Sequence, residues 1–111
     1  MLAVETQGAV EVVSLNAPLD SQNADELAES ISQRCAHGQP AIVIDLKNTP
    51  LIDSAGLESL VDVQQMAAKR GGSVKLSGPN PLCADILHVS GMNRRFEVFE
   101  TAKAAVGSFA G

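Results

Sequence analysis

Six residues constrain this chain more than any others. Ala41-Ile42-Val43-Ile44-Asp45-Leu46 form a nearly continuous apolar run. A strand with one face in water alternates apolar and polar residues, so a run that is apolar almost throughout is covered on both faces, as in the middle of a parallel sheet. Parallel neighbours cannot be joined by tight turns and need crossover connections, usually helices. The sequence supplies one on each side. Upstream, Ala24, Leu27, Ala28, Ile31 and Cys35 recur at helical spacing, with Ser21 to Asn23 as the expected cap, Asp25 and Glu26 complementing the dipole and Gly38 as the stop. Downstream, Leu57, Leu60, Val61, Gln64 and Ala68 make a second stripe, ended by Gly71-Gly72.

The rest of the chain fits around this centre. Leu2, Val4 and Thr6 alternate with polar or small neighbours, Gln7-Gly8 reads as a turn, and Val10, Val12 and Leu15 resume the alternation, which predicts a hairpin of half-buried strands. Ala17-Pro18-Leu19-Asp20 interrupts it. Ser73 to Ser77 is a short strand, and Leu82, Ile86 and Val89 form a third helical stripe between Pro81 and Gly91. Phe96 to Phe99 is a last strand, and Thr101 caps an Ala-rich helix carrying Ala102, Ala105, Val106 and Phe109. The predicted order is β-β-α-β-α-β-α-β-α. That is one α/β domain over residues 1–111, a mostly parallel sheet with an N-terminal hairpin strand and four helices. In such a sheet, recognition is expected at the carboxyl ends of the strands.

Composition removes several function classes. The 111 residues include no Trp, no Tyr and three Phe, and thirteen acids face eight Lys and Arg, for a formal net charge of −5. A base-stacking nucleic-acid module needs exposed aromatics and a positive field, so no nucleic-acid partner is expected. No apolar run approaches the roughly 20 residues of a membrane span, and the start lacks a basic n-region, so neither membrane insertion nor secretion is expected. Cys35 and Cys83 lack metal-ligand spacing and read as reduced thiols in a cytoplasmic protein. No cofactor or metal is expected.

Residues 49–58, Thr-Pro-Leu-Ile-Asp-Ser-Ala-Gly-Leu-Glu, follow the central strand. Asp53 and Ser54 fall where a helix begins, a place where side-chain oxygens cap free amides. Two readings fit. One is plain capping. The other is an exposed hydroxyl at a helix N-terminus, where free amides and the dipole tolerate a phosphate well, with small Ala55 and Gly56 allowing close approach.

Rival chemistries lack their residues. A nucleophile elbow at Ser54 needs Gly two positions before it, where Ile52 stands. Only His37 and His88 exist as bases, each toward the end of a separate helix. Gly71-Gly72 leads into a strand rather than a phosphate-cradling loop. A phosphoaccepting receiver domain would use Asp45, but the acidic pair after the first strand and the late Lys-Pro are missing. The basic spots Lys69-Arg70 with Lys75, and Arg94-Arg95, read as solvated helix ends.

With Asp53-Ser54-Ala55-Gly56-Leu57 in place, the chain resembles the STAS domain family, and within it the bacterial anti-sigma factor antagonists. The resemblance runs from the hairpin and Leu19-Asp20 through Ile42-Val43-Ile44-Asp45-Leu46 and Leu51-Ile52-Asp53-Ser54-Ala55-Gly56-Leu57. It continues through Gly72-Ser73-Val74-Lys75-Leu76, Val89-Ser90-Gly91-Met92 and Phe96-Glu97-Val98-Phe99.

The resemblance implies a switch without enzymatic activity. Ser54 matches the serine phosphorylated by a partner that is both anti-sigma factor and serine kinase, of the histidine-kinase-like ATPase type. The unphosphorylated protein binds that kinase and releases the sigma factor; a PP2C-type phosphatase restores it. Asp20, with Ser21 beside it, matches a partner-contact position, and Asp53, Ala55, Gly56 and Leu57 surround the serine as the partner-binding surface. Ala17-Pro18 departs from the Gly that commonly precedes the family's Leu-Asp. The family also includes small subunits of phospholipid-transporting ABC systems and components of other signalling complexes, and the motif alone does not separate them.

Overall fold

The computed structural model describes residues 2–110, so the outermost residues of the 1–111 domain, Met1 and Gly111, lie outside the described residues. The elements in chain order are β1 (Leu2–Gln7), β2 (Val10–Leu15), α1 (Ala24–Arg34), β3 (Ala41–Asp45) and α2 (Ser54–Ala68), followed by β4 (Ser73–Ser77), α3 (Pro81–Val89), α4 (Met92–Arg95), β5 (Val98–Phe99) and α5 (Ala102–Ser108). The five strands stand side by side in sequence order. β1 pairs antiparallel to β2, and every later neighbour is parallel.

The apolar run at 41–46 is central and two-sided. Ile42 and Ile44 join Val13, Leu15, Val74 and Leu76 in the main core, beneath Leu27 and Ile31 of α1, Leu60 and Val63 of α2 and Leu87 of α3. Val43 points the other way, into a smaller core with Val10, Val12 and Ala105 of α5. Because the sheet advances in one direction, its three crossover helices all lie on one face. The strand order never reverses, so the sheet lacks the switch-point crevice in which doubly wound folds hold small ligands.

Several sequence expectations shift. β1 is not half-buried: only Leu2 is partly covered, and Val4 is 39% exposed. It is an edge strand, and α1 reaches no further than β2, where Arg34 pairs with Glu11 at 2.8 Å. The hairpin turn falls at Gly8-Ala9, with Gly8 at φ 62. Among the described residues there are five helices rather than four, because left-handed Gly91 (φ 78) ends α3 and starts the single turn of α4, whose Met92 packs on the core. The last strand keeps only Val98 and Phe99, since Phe96 is buried in the main core instead.

Two helical stripes are rotated from their expected phase. In α2 the buried set is Gly56, Ser59, Leu60, Val63 and Ala67, while Leu57 and Val61 sit half-buried on one flank. In α3 the buried set is Cys83 and Leu87, not Leu82 and Val89. A wide apolar arc on a short helix leaves its centre ambiguous from spacing alone.

Candidate functional site

The loop before α1 and the loop before α2 meet at the carboxyl ends of β2 and β3. Leu19 and Ile52 form a parallel bridge: Leu19 N donates to the Leu51 carbonyl at 2.9 Å, and Asp53 N donates to the Leu19 carbonyl at 3.1 Å. This stitch fixes Asp20 beside Asp53. It needs Gly56, because a Cβ there would collide with the Leu19 carbonyl. Gly56 is buried, so its smallness serves this internal contact rather than the approach of a partner, which corrects its placement on the exposed surface.

Asp53 is the N-cap of α2. Its backbone is extended (φ −100, ψ −173), and its carboxylate accepts from Gly56 N at 2.9 Å. With capping done by Asp53, Ser54 occupies the first helical position, exposed and with no hydrogen-bond partner among the described residues. Its neighbours differ. Thr49 is 1% exposed and donates to the Leu15 carbonyl at 2.8 Å, and Ser59 is 6% exposed and donates to the Gly56 carbonyl at 2.8 Å.

On the other loop, Asp20 is half-buried and its Oδ1 accepts from the amides of Gln22 and Asn23 at 3.0 and 3.2 Å. The side-chain cap expected from Ser21 to Asn23 is not made; Asp20 instead closes the turn that leads into α1. Asn23 turns inward, donating through Nδ2 to the Pro18 carbonyl at 2.7 Å, and makes no side-chain cap. Ser21 is exposed and opens a shallow groove between α1 and α2, floored by Ala24, Ala28 and half-buried Ala55 and flanked by Asp25, Glu58 and Asp62. Leu57 is half-buried against the main core. The structure therefore brings Asp20, Ser21, Asp53, Ser54 and Ala55 onto one surface, with Leu57 on its margin.

The rival assignments fall elsewhere. His37 and His88 lie at the opposite end of the sheet, beyond α1 and near the end of α3. Asp45 points to the α5 side, where its Oδ1 accepts from Lys47 N and from Ser77 Oγ, each at 3.2 Å. Burial raises the pKa of both thiols; at Cys35, Arg70 partly offsets it. No helix among the described residues is long and apolar enough to cross a membrane.

Sequence reasoning missed one set of surface residues. Leu51 is 39% exposed, Leu82 54% and Val89 81%. For α3 the true core pair, Cys83 and Leu87, is four apart, but so are Leu82 and Ile86 directly before them, so spacing did not single out the core face.

The site is an exposed serine at a capped helix start, beside the Leu19–Asp20 loop at the carboxyl ends of a one-way α/β sheet. The STAS domain profile matches residues 1–105, and the chain belongs to that family. It is 27% identical over 104 residues to the anti-sigma F factor antagonist of Paenibacillus polymyxa, covering 89% of this chain and 86% of that one. It is 28% identical over 107 residues to the anti-sigma-F factor antagonist RsfB of Mycobacterium tuberculosis, covering 95% and 85%. The crystal structure of an anti-sigma factor antagonist from Mycobacterium paratuberculosis superposes with a TM-score of 0.89 at 26% identity, covering 100% of this chain and 94% of that one. The family assignment makes this chain a non-enzymatic regulator.

Proposed function

We propose that this protein is an anti-sigma factor antagonist: unphosphorylated, it binds an anti-sigma factor that is also a serine kinase and thereby frees a sigma factor. Phosphorylation of Ser54 ends the binding, and a PP2C-type phosphatase reverses it. One observation carries the reading. Of the three hydroxyls from Thr49 to Ser59, Ser54 alone is exposed and unbonded, at a helix start beside the Leu19–Asp20 loop.

The physics of the switch follows from position. A phosphate brings about −1.5 to −2 charges at neutral pH and demands hydration. At the first position of α2 the free amides and dipole accommodate it, so the fold tolerates the modification. A partner packed against Ser54 would have to strip its water, and a penalty of about 3 kcal/mol weakens affinity roughly a hundredfold. Asp20, Ser21, Asp53 and Ala55 complete the contact surface.

The test is intact-mass measurement after incubation with ATP and the histidine-kinase-like ATPase of the same genome. One phosphate on the wild-type chain and none on Ser54→Ala is the expected result. Normal stoichiometry on Ser54→Ala would reject the site.

A further inference from the structure

The sheet ends differently at its two edges. β5 offers two residues, whereas β1 offers six, Leu2 to Gln7, with no strand on their outer side among the described residues. An open edge is a row of backbone donors and acceptors ready for another strand, and proteins ordinarily blunt it with Lys, Pro or a bulge. β1 has none of these. It holds neither Lys nor Pro, and it pairs with β2 in unbroken register from Leu2–Leu15 to Gln7–Val10. Its one charge is Glu5. We propose that β1 pairs antiparallel with β1 of a second copy, about a two-fold axis through Val4, so that two sheets become one. The inference does not depend on the reading of Ser54.

The pleat and Glu5 fix the register. A two-fold axis normal to the sheet must pass through a residue position, because a slip of one turns every side chain to the wrong face. Centred on Glu5, two carboxylates stand directly opposite and repel. Centred on Ala3, only residues 2–4 of the described strands overlap. Centred on Val4, residues 2–6 overlap, Val4 meets its symmetry mate and Glu5 faces Ala3. The two Glu5 side chains are then diagonal and about 7–8 Å apart in solvent, where screening leaves little repulsion.

α1 selects the same axis independently. Its Arg34 pairs with Glu11 of β2, which stands beside Thr6 of β1. Glu26, Ser30 and Arg34 form one line at i, i+4 and i+8. That line is turned to the β1 side, since the other flank, with Ala24, Ala28 and Ser32, borders α2. A helical turn rises about 5.4 Å and two strand residues about 6.6 Å, so Ser30 stands roughly level with Val4 and Glu26 with Leu2. An axis through Val4 therefore turns Glu26 of each copy toward Arg34 of the other, a charge pattern complementary to itself. Arg34 can receive it: Nε lies 2.8 Å from Glu11 and Nη1 donates to the Ser30 carbonyl, while Nη2 has no partner among the described residues. The same axis brings Val4, 39% exposed, against a second Val4 in a β-branched cross-strand pair. Because α1 separates this edge from α2, both copies keep the Ser54 surface open.

The experiment is sedimentation equilibrium of the full chain, wild type and Val4→Lys, Glu26→Lys and Val98→Lys, with hydrogen exchange of wild type at low and high concentration. The interface is small, so a dimer with a dissociation constant of about 10 μM is expected. Val4→Lys sets like charges on the axis and should weaken it about a hundredfold. Glu26→Lys should weaken it about tenfold, since symmetry counts the change twice. Glu26 is exposed, so that loss does not come from unfolding. Val98→Lys, on the opposite edge, should leave the dimer unchanged, and amides of residues 2–7 should exchange more slowly as concentration rises. Wild type that stays monomeric at about 0.5 mM overturns the proposal. So does a dimer lost in Val98→Lys, or one whose β1 amides exchange at the same rate at every concentration. A dimer that Glu26→Lys leaves at full strength contradicts the axis through Val4.

Discussion

The carbonyl oxygen of Leu19 occupies the space that a Cβ on Gly56 would take. Two loops that are far apart in sequence thereby close to backbone contact, and the Leu19–Ile52 bridge is the result. The obstacle to a side chain at 56 is backbone, which no rotamer change can relieve. Ala in a helix gains about 1 kcal/mol over Gly, but overpacking costs about 1–3 kcal/mol and a backbone clash sits at the upper end. Gly56→Ala should therefore lower the melting temperature by about 5–10 °C. It should also weaken partner binding, because the Asp20 loop must move off Asp53. Thermal unfolding with a midpoint at or above wild type would contradict the close approach.

Ser54→Asp separates an effect on the fold from one at an interface. The first turn of α2 holds no acidic residue, so its dipole is answered only by the Asp53 cap. A carboxylate at position 54 should stabilise the helix by about 0.3–1 kcal/mol. The expected pattern is a melting temperature slightly above wild type together with partner affinity well below it. A variant that lost affinity and stability together would point to local unfolding instead of a switch.

The fold was legible wherever the signal was local. The two-sided strand at 41–46, the helix-start signature at Asp53 and the strand-helix alternation all follow from spacing and capping chemistry within a few residues. The contact between Gly56 and Leu19 was not, since it joins segments thirty-seven positions apart and leaves no periodic trace. Exposure of Leu82 and Val89 was hidden for a related reason. Their stripe is apolar at helical period, and only the gap between α2 and α3 determines that its partner face is absent. The exposed Ser54 lay between these cases: its place at the helix start was readable, but that Asp53 alone does the capping was not.

Lys75 ties α5 to the sheet. Its side chain is 11% exposed, with the ammonium 4.1 Å from the Phe109 ring centroid and 5.7 Å from that of Phe99. Nζ also donates to Ser108 Oγ at 2.7 Å and lies 3.5 Å from Glu97. Lys75→Ala removes the cation–π contacts and the packing of the stem, at an expected cost of about 1–3 kcal/mol. Hydrogen exchange should accelerate in residues 102–108 before the rest. Partner binding should be unaffected, since α5 covers the face opposite α1, α2 and α3.

The thiols make a prediction about alkaline pH. Burial raises the pKa of both Cys83 and Cys35 above their ordinary value of 9.0, with Arg70 opposing it at Cys35. Cys83 is fully buried, and its Sγ lies 3.4 Å from the Thr49 carbonyl, which accepts the S–H. The native state therefore holds its thiol protons more tightly than the unfolded chain. Their contribution to stability is complete below the unfolded pKa and declines as pH rises from there toward the folded values. The denaturant midpoint should accordingly fall above about pH 9, while thiol reagents at neutral pH react with Cys83 only as fast as the protein opens. The chain has no Tyr, so phenol ionisation does not complicate this window. Cys83→Ala leaves one thiol and should flatten the decline, even though it lowers the midpoint at every pH through lost packing. An equally steep decline in that variant would assign the alkaline sensitivity to groups other than Cys83.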